Sequence, residues 1–307
     1  MKEKTRKKLK RILRRAAVLG PFLLIVLIGL NVLLYPQMSN YINVKNQTRA
    51  IDTYVNTVST LNYQDYNSFL QAARAYNTRL AAGSATVKDA FAAGQENDAD
   101  HTGDYWSLLN VDNDGVMGYV EIDKINVQLP IYHGTGDEVL SAGVGHLQGS
   151  SLPVGGAGTH AVLSAHTGMP SAKLFTDIDQ LQIGDTFALK ILGDTLTYQV
   201  DQILTVLPSD VDALSIVPGE DHVTLVTCTP YGINTHRLLV RGTRIPNPVE
   251  DYSETTISQN SETQKKQTGL QKFGHKLLIG FSGAFEATIT LFVHVSEHVM
   301  DLFGVEY

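Results

Sequence analysis

The pattern of apolar residues along the chain divides it into regions of different predicted structure. Residues 16–35 form an uncharged apolar run, and about twenty such residues are enough to cross a bilayer core as a helix. Between residues 36 and 85 apolar positions recur at spacings of three and four, which predicts amphipathic helices. From residue 118 onward, short runs rich in β-branched and aromatic residues alternate with turns that contain Gly, Asp or Pro, which predicts strands.

The strand-forming runs are numerous and short. They lie at residues 119–122, 127–131, 160–164, 186–191, 195–200, 223–226 and 237–240. Many short strands with few helices between them favour a β-sandwich or a closed β-barrel over a parallel α/β sheet. The fold class is therefore predicted to be mainly β, with helices before the β domain.

These patterns predict seven regions along the chain. They are a basic tail (1–15), an apolar membrane segment (16–35), a helical region (36–85), a connecting segment (86–106), the β domain (107–247), a polar linker (248–272) and a hydrophobic C-terminal segment (273–307). In the last region Glu286 interrupts the apolar stretch 276–295, and a charge near the middle of a spanning helix costs about 2.5–3.5 kcal/mol. A second span and an interfacial helix both remain open there.

Charge is distributed very unevenly. Residues 1–15 hold nine Lys or Arg and one Glu, about +8, so a net charge of −7 leaves roughly −15 on the rest. Positive residues before the apolar run predict a cytoplasmic N-terminus, a membrane anchor and an external body. A cleaved signal peptide is the competing interpretation, but the run is long and no small-x-small site follows it. The acidic body argues against nucleic-acid binding.

The chain has one cysteine, Cys228, which cannot form an intramolecular disulfide. It follows a β-rich run and precedes a Pro/Gly turn, a suitable place for a nucleophile at a strand end, although a buried structural thiol is the alternative. His166 also follows a β-rich run and precedes Gly168, so it is a candidate base or a structural histidine.

We find no metal-ligand spacing, phosphate loop or dinucleotide fingerprint, and therefore predict no metal and no cofactor.

Two longer motifs carry a family resemblance. TLVTCTPYGINTHRLLVRG at 224–242 and HAVLSAHTGMPSAKLFTDI at 160–178 resemble the motifs of class C, or pilus-type, sortases, and the resemblance covers residues 107–245. It implies a closed barrel of about eight strands, with Cys228 as nucleophile, His166 as acid/base and Arg237 as the catalytic arginine. Thr227 is expected to support substrate or oxyanion in the groove, or else to be an ordinary strand threonine.

The resemblance also implies a function. The protein is expected to be a membrane-anchored, extracellular cysteine transpeptidase that cleaves an LPxTG-like signal and joins the acyl group to a lysine amine of a pilin subunit. The alternatives are anchoring of surface proteins to cell-wall peptide by the same chemistry, and a catalytically silent membrane-tethered binding domain. The presence of all three expected catalytic residues speaks against the last.

Class C sortases commonly carry a lid with an Asp-Pro-aromatic tripeptide over the catalytic groove. This chain has Asp89-Ala90-Phe91 within the predicted lid, residues 86–106, so alanine replaces the proline and the lid should be less stiff. We expect Asp89 near Arg237 and Phe91 over Cys228. The alternatives are a helix start capped by Asp89, and a lid anchored by Asp104-Tyr105-Trp106 instead.

Overall fold

The computed structural model describes residues 2–83, 87–91 and 104–247. Three α-helices are present in these ranges: α1 (Lys2–Ser59), α2 (Tyr63–Ala82) and α3 (Asp137–Ala142). Eight strands follow the second helix: β1 (Val116–Ile122), β2 (Val127–His133), β3 (Val144–His146), β4 (Thr159–Ser164), β5 (Thr186–Ile191), β6 (Asp194–Val206), β7 (Asp221–Thr229) and β8 (His236–Arg244). The predicted linker and the hydrophobic C-terminal segment lie outside the described residues.

The eight strands close into a barrel in the order β1-β2-β3-β4-β7-β8-β6-β5. The pairs β2/β3 and β4/β7 are parallel, and the other neighbours are antiparallel. The prediction of a mainly β fold is confirmed, and of the two architectures left open the barrel is the one adopted. All seven predicted runs lie in strands, whereas the three-residue β3 was not predicted.

Side-chain alternation divides the buried residues of the strands between two clusters. Ala161, Leu163 and Leu225 belong to the main core, while their neighbours Val162 and Val226 belong to a second, smaller cluster. Successive side chains of a strand point to opposite faces of the sheet, so the second cluster lies on the outer face of β4, β7 and β8. Ala90, from the segment 87–91, packs into this outer cluster.

The predicted helical region forms two helices that dock on the barrel through polar as well as apolar contacts. On α1, Tyr54 is 1% exposed, and its hydroxyl donates to the carbonyl of Met117 at 2.9 Å and accepts from the amide of Leu192 at 2.8 Å. On α2, the buried amide of Asn77 exchanges two hydrogen bonds with the backbone of Leu152. Asn62 caps the start of α2 by accepting from two backbone amides.

The predicted membrane segment, residues 16–35, forms part of helix α1. In the part of the chain that the structure describes, no helix has a stretch long and apolar enough to cross a membrane.

Candidate active site

Strand pairing brings Cys228 and His166 to the same end of the barrel. The parallel pairing of β4 with β7 ends at Ser164 opposite Val226, and the amide of Ala165 continues it by donating to the carbonyl of Val226 at 3.1 Å. His166 and Cys228 each lie two residues beyond the last pair. Because residues two apart face the same side of a strand, the register directs both side chains to the outer face.

Arg237 joins them from the other side of β7. In the antiparallel pairing of β7 with β8, Arg237 lies directly opposite Cys228. Opposed residues in such a pair have Cβ atoms about 4.5–5.5 Å apart, within reach of a long side chain. Three adjacent strands therefore bring together the three residues that the sequence predicted.

The segment 87–91 covers this site. The guanidinium of Arg237 donates through Nε and Nη2 to the two carboxylate oxygens of Asp89, at 2.8 and 2.7 Å. Both side chains are about one-tenth exposed. A two-pronged, charge-assisted pair of this kind is among the stronger polar contacts in proteins. The Nη1 atom of Arg237 also donates to the backbone carbonyls of Asn234 and His236.

Phe91 adds an aromatic contact beside this ion pair. Its ring centroid lies 5.5 Å from that of His166, and the Arg237 guanidinium carbon lies 5.1 Å from it. The ring therefore contacts two of the three predicted catalytic side chains. Asp89, Ala90 and Arg237 also line a small pocket that continues over the outer cluster to Leu147, Val162 and Leu214.

The alternative lid anchor at residues 104–106 lies elsewhere. Tyr105 is buried, its hydroxyl is 3.0 Å from Nδ1 of His146, and it accepts from the amide of Gly134. Its ring also packs against His133 and Tyr76. These contacts place Tyr105 in the core packing between α2 and the barrel.

Burial favours the neutral forms of both candidate reacting groups. It raises the pKa of the Cys228 thiol; Arg237 opposes this rise and Asp89 adds to it. Burial lowers the pKa of His166, against the opposing effect of Asp137. The hydrogen bond to Asp89 raises the pKa of Arg237, which stays charged. Both shifts favour the uncharged forms, the thiol of Cys228 and the neutral imidazole of His166.

Thr227 faces away from Cys228 along β7. It is 2% exposed, and its hydroxyl donates to the carbonyl of Ala165 at 2.7 Å. That bond ties the end of β4 to β7 immediately before His166. The contact gives Thr227 a local structural effect, and its predicted support of substrate stays a prediction.

The fold is a closed β-barrel, and the site at one end of it combines a thiol, an imidazole and a guanidinium. Residues 120–245 match the sortase domain family. Sortase C1 of Streptococcus agalactiae, solved in complex with MTSET, is 44% identical with a TM-score of 0.60 and covers 66% of this chain and 99% of its own. Sortase C of Streptococcus pneumoniae is 42% identical with a TM-score of 0.60, at 66% and 100% coverage.

The chain belongs to the sortase family, and these structural neighbours are class C sortases. Sortases are cysteine transpeptidases. Among named relatives, sortase A of Streptococcus agalactiae is 32% identical over 118 residues, 37% of this chain. That match spans 47% of the relative's length, so this chain aligns with about half of it.

Proposed function

We propose that this protein is a membrane-anchored, extracellular class C transpeptidase that cleaves an LPxTG-like sorting signal and joins pilin subunits through a lysine amine. The observation that carries the proposal is the convergence of Cys228, His166 and Arg237 at one end of three adjacent strands, beneath a segment that pairs with Arg237. The likeness to class C sortases supports the polymerising role over wall anchoring. The apolar run 16–35 supports the anchor.

Each residue has a defined part in the proposed reaction. The Cys228 sulfur attacks the peptide carbonyl, and the carbonyl electrons move onto its oxygen, which the Arg237 guanidinium stabilises. As the tetrahedral intermediate collapses, the peptide C–N bond breaks and protonated His166 donates a proton to the departing amine. A lysine amine then attacks the thioester, His166 takes a proton from it, and the Cys228 thiolate leaves. No oxidant or cofactor is required.

In this proposal the segment 87–91 is a lid that must move before substrate binds. Asp89 occupies the two guanidinium donors that a substrate carbonyl or oxyanion would use. Departure of the lid exposes Cys228 and His166 and removes the Asp89 carboxylate. The thiol pKa then falls and the imidazole pKa rises, because each covered-state shift has burial as its largest cause. Opening therefore favours the thiolate and imidazolium that the reaction uses.

The test is acyl transfer by the full chain in mild detergent, with an LPxTG peptide and a lysine-bearing pilin subunit as acceptor. We expect a thioacyl adduct on Cys228 by mass spectrometry and an isopeptide-linked product, both increased in Asp89→Ala. Cys228→Ala should form neither, and an active Cys228→Ala variant would refute the assignment of the nucleophile. Transfer to cell-wall peptide but to no pilin lysine would instead support the anchoring role.

A further inference from the structure

The connection from β4 to β5 contains His166 near its start and folds back onto it. We call residues 166–176 the histidine loop. The amide of Phe175 donates to the carbonyl of His166 at 3.1 Å, and the amide of Gly168 donates to the hydroxyl of Thr176 at 3.2 Å. The position of the His166 backbone therefore depends on the far side of its own loop.

Two amide side chains of α1 reach this loop from outside the barrel. Asn43 donates through Nδ2 to the carbonyl of Ser171 at 2.8 Å, and Asn40 accepts through Oδ1 from the amide of Lys173 at 3.0 Å. Residues three apart lie on one face of a helix, so α1 presents both amides together. They satisfy backbone groups on either side of Ala172.

The two halves of the histidine loop are held differently. Ala172, Leu174 and Phe175 are at most 3% exposed and pack in the main core. Residues 167–169 are only partly buried and Pro170 is exposed. Asn43 contacts the junction between these halves, at Ser171, where the less buried half leads back to His166.

We propose that Asn43, assisted by Asn40, is a positioning residue for His166. Through these two bonds, the helix that contains the predicted membrane segment fixes the histidine loop and thereby the imidazole. Asn40 lies only five residues beyond the end of that segment, about 7.5 Å along a helix. The inference rests on the proposed function, because it assigns His166 the acid/base role.

The matched control for Asn43 is Gln47, one turn further along the same helix. Gln47 donates through Nε2 to the carbonyl of Ala142 at 2.9 Å, so it makes the same type of bond to α3 instead of to the histidine loop. Replacement of either residue by Ala removes one donor to a backbone carbonyl. An effect specific to catalysis should appear at Asn43 and not at Gln47.

The experiment compares Asn43→Ala with Gln47→Ala in the full chain in detergent, both in an Asp89→Ala background so that the lid does not mask the site. We expect Asn43→Ala to lower kcat for transfer about tenfold with KM within twofold, since small misplacements of a catalytic group reduce rates strongly. Gln47→Ala should stay within about twofold in kcat, a difference well under 1.4 kcal/mol. Equal kcat values in the two variants would overturn the proposal.

A second measurement does not depend on activity. The NMR titration of the His166 ring should shift its midpoint in Asn43→Ala and not in Gln47→Ala, because a displaced ring changes its burial, which is the largest cause of its lowered pKa. An unchanged His166 titration with equal losses of stability in both variants would leave Asn43 as a structural residue and refute its positioning role. Asn43→Asp, which is isosteric but cannot donate, serves if Asn43→Ala does not fold.

These readouts separate the two proposals. If Asp89→Ala forms no thioacyl adduct and no transfer product, the proposed function fails, and the His166 titration still decides whether Asn43 positions the ring. If Asp89→Ala is active but Asn43→Ala does not differ from Gln47→Ala in kcat or in the His166 titration, only the positioning proposal fails.

Discussion

Arg237 connects the covered state of the site to the proposed reaction. Its guanidinium donates two hydrogen bonds to the Asp89 carboxylate and two to backbone carbonyls. A guanidinium stays charged at any physiological pH, so it always requires an anionic or polar partner when it is buried. Asp89 fills that requirement in this structure, and in the proposed reaction a substrate oxygen competes for the same donors.

Replacement of Asp89 should change the titration of Cys228. Asp89→Asn removes the carboxylate that raises the pKa of the Cys228 thiol. The charge of Arg237, which lowers that pKa, remains. We therefore expect the pH midpoint for alkylation of Cys228 by iodoacetamide to fall, and the rate at pH 7 to rise, because the thiolate is the reactive form.

The matched control is Asp104→Asn, which removes a carboxylate that is 81% exposed and 3.6 Å from Arg79. Its alkylation profile should equal that of the parent. A midpoint that moves upward in Asp89→Asn, or an equal shift in the control, would contradict the role given to Asp89.

At the scale of elements, α1 uses one face for two kinds of contact with the barrel. Residues 40, 43 and 47 offer amides to backbone groups, and Ile51 and Tyr54 follow on the same face as buried residues. The spacings of three and four keep these positions aligned along the helix. The helix is therefore fixed to the barrel at several points from Asn40 to Tyr54.

Tyr54 is the point at which this docking should be most sensitive to mutation. In Tyr54→Phe the buried carbonyl of Met117 and amide of Leu192 lose their shared partner. Leaving buried polar groups unsatisfied costs about 1–3 kcal/mol, so the free energy of unfolding should fall by about that amount. Urea unfolding of the full chain in detergent, followed by fluorescence of its single tryptophan, Trp106, measures it.

Tyr63→Phe provides the comparison, since Tyr63 is 80% exposed near the start of α2. Surface changes of this kind usually lie within about 0.5 kcal/mol. If both variants unfold at the same urea concentration, the hydroxyl of Tyr54 does not hold α1 to the barrel.

At the scale of the whole molecule, two buried histidines make stability depend on pH. Burial lowers the pKa of His146 and of His160 to about 4. His160 lies between the carbonyl of Ser215 at Nδ1 and the hydroxyl of Thr224 at Nε2, and His146 between Tyr105 and Ser151. One donor and one acceptor on each ring suit the neutral form, so protonation is disfavoured in the folded state.

The stability of the fold should therefore fall as pH is lowered from about 6.5 to about 4. In that window the unfolded chain binds protons that the folded histidines do not, at up to about 1.4 kcal/mol per pH unit for each histidine. Asp114, whose pKa is raised to about 6 with burial as the first cause, opposes this over part of the window. These two histidines and Asp114 together should give a net loss of about 2 kcal/mol between pH 6.5 and 5, and His166 and His222, whose pKa values burial also lowers, add to it.

Urea unfolding at a series of pH values checks this expectation. His160→Gln should reduce the slope of unfolding free energy against pH, whatever its effect on stability at pH 7. A profile that is flat or rises on acidification would show that these rings are not held neutral in the fold.

Local sequence patterns were enough for the strands, the helical region and the candidate nucleophile. Alternation and helical spacing involve residues within four positions of each other, so they can be read before any tertiary contact is known. The motifs around Cys228, His166 and Arg237 likewise predicted candidate reacting groups by resemblance. The three-residue β3 was missed because a run that short has no detectable period.

Local patterns did not show which distant segments meet; the family resemblance predicted Asp89 near Arg237, and the other long-range contacts came from the tertiary structure. Asp89 pairs with Arg237 across 148 positions, and Asn43 reaches Ser171 across 128. Local periodicity contains no information on such contacts, because they depend on the closure of the barrel and on the packing of α1 along its side. The amino-acid sequence by itself thus determined the elements and the chemistry available, and the fold determined that the Asp89 carboxylate pairs with Arg237 and that the Asn43 amide bonds to the histidine loop.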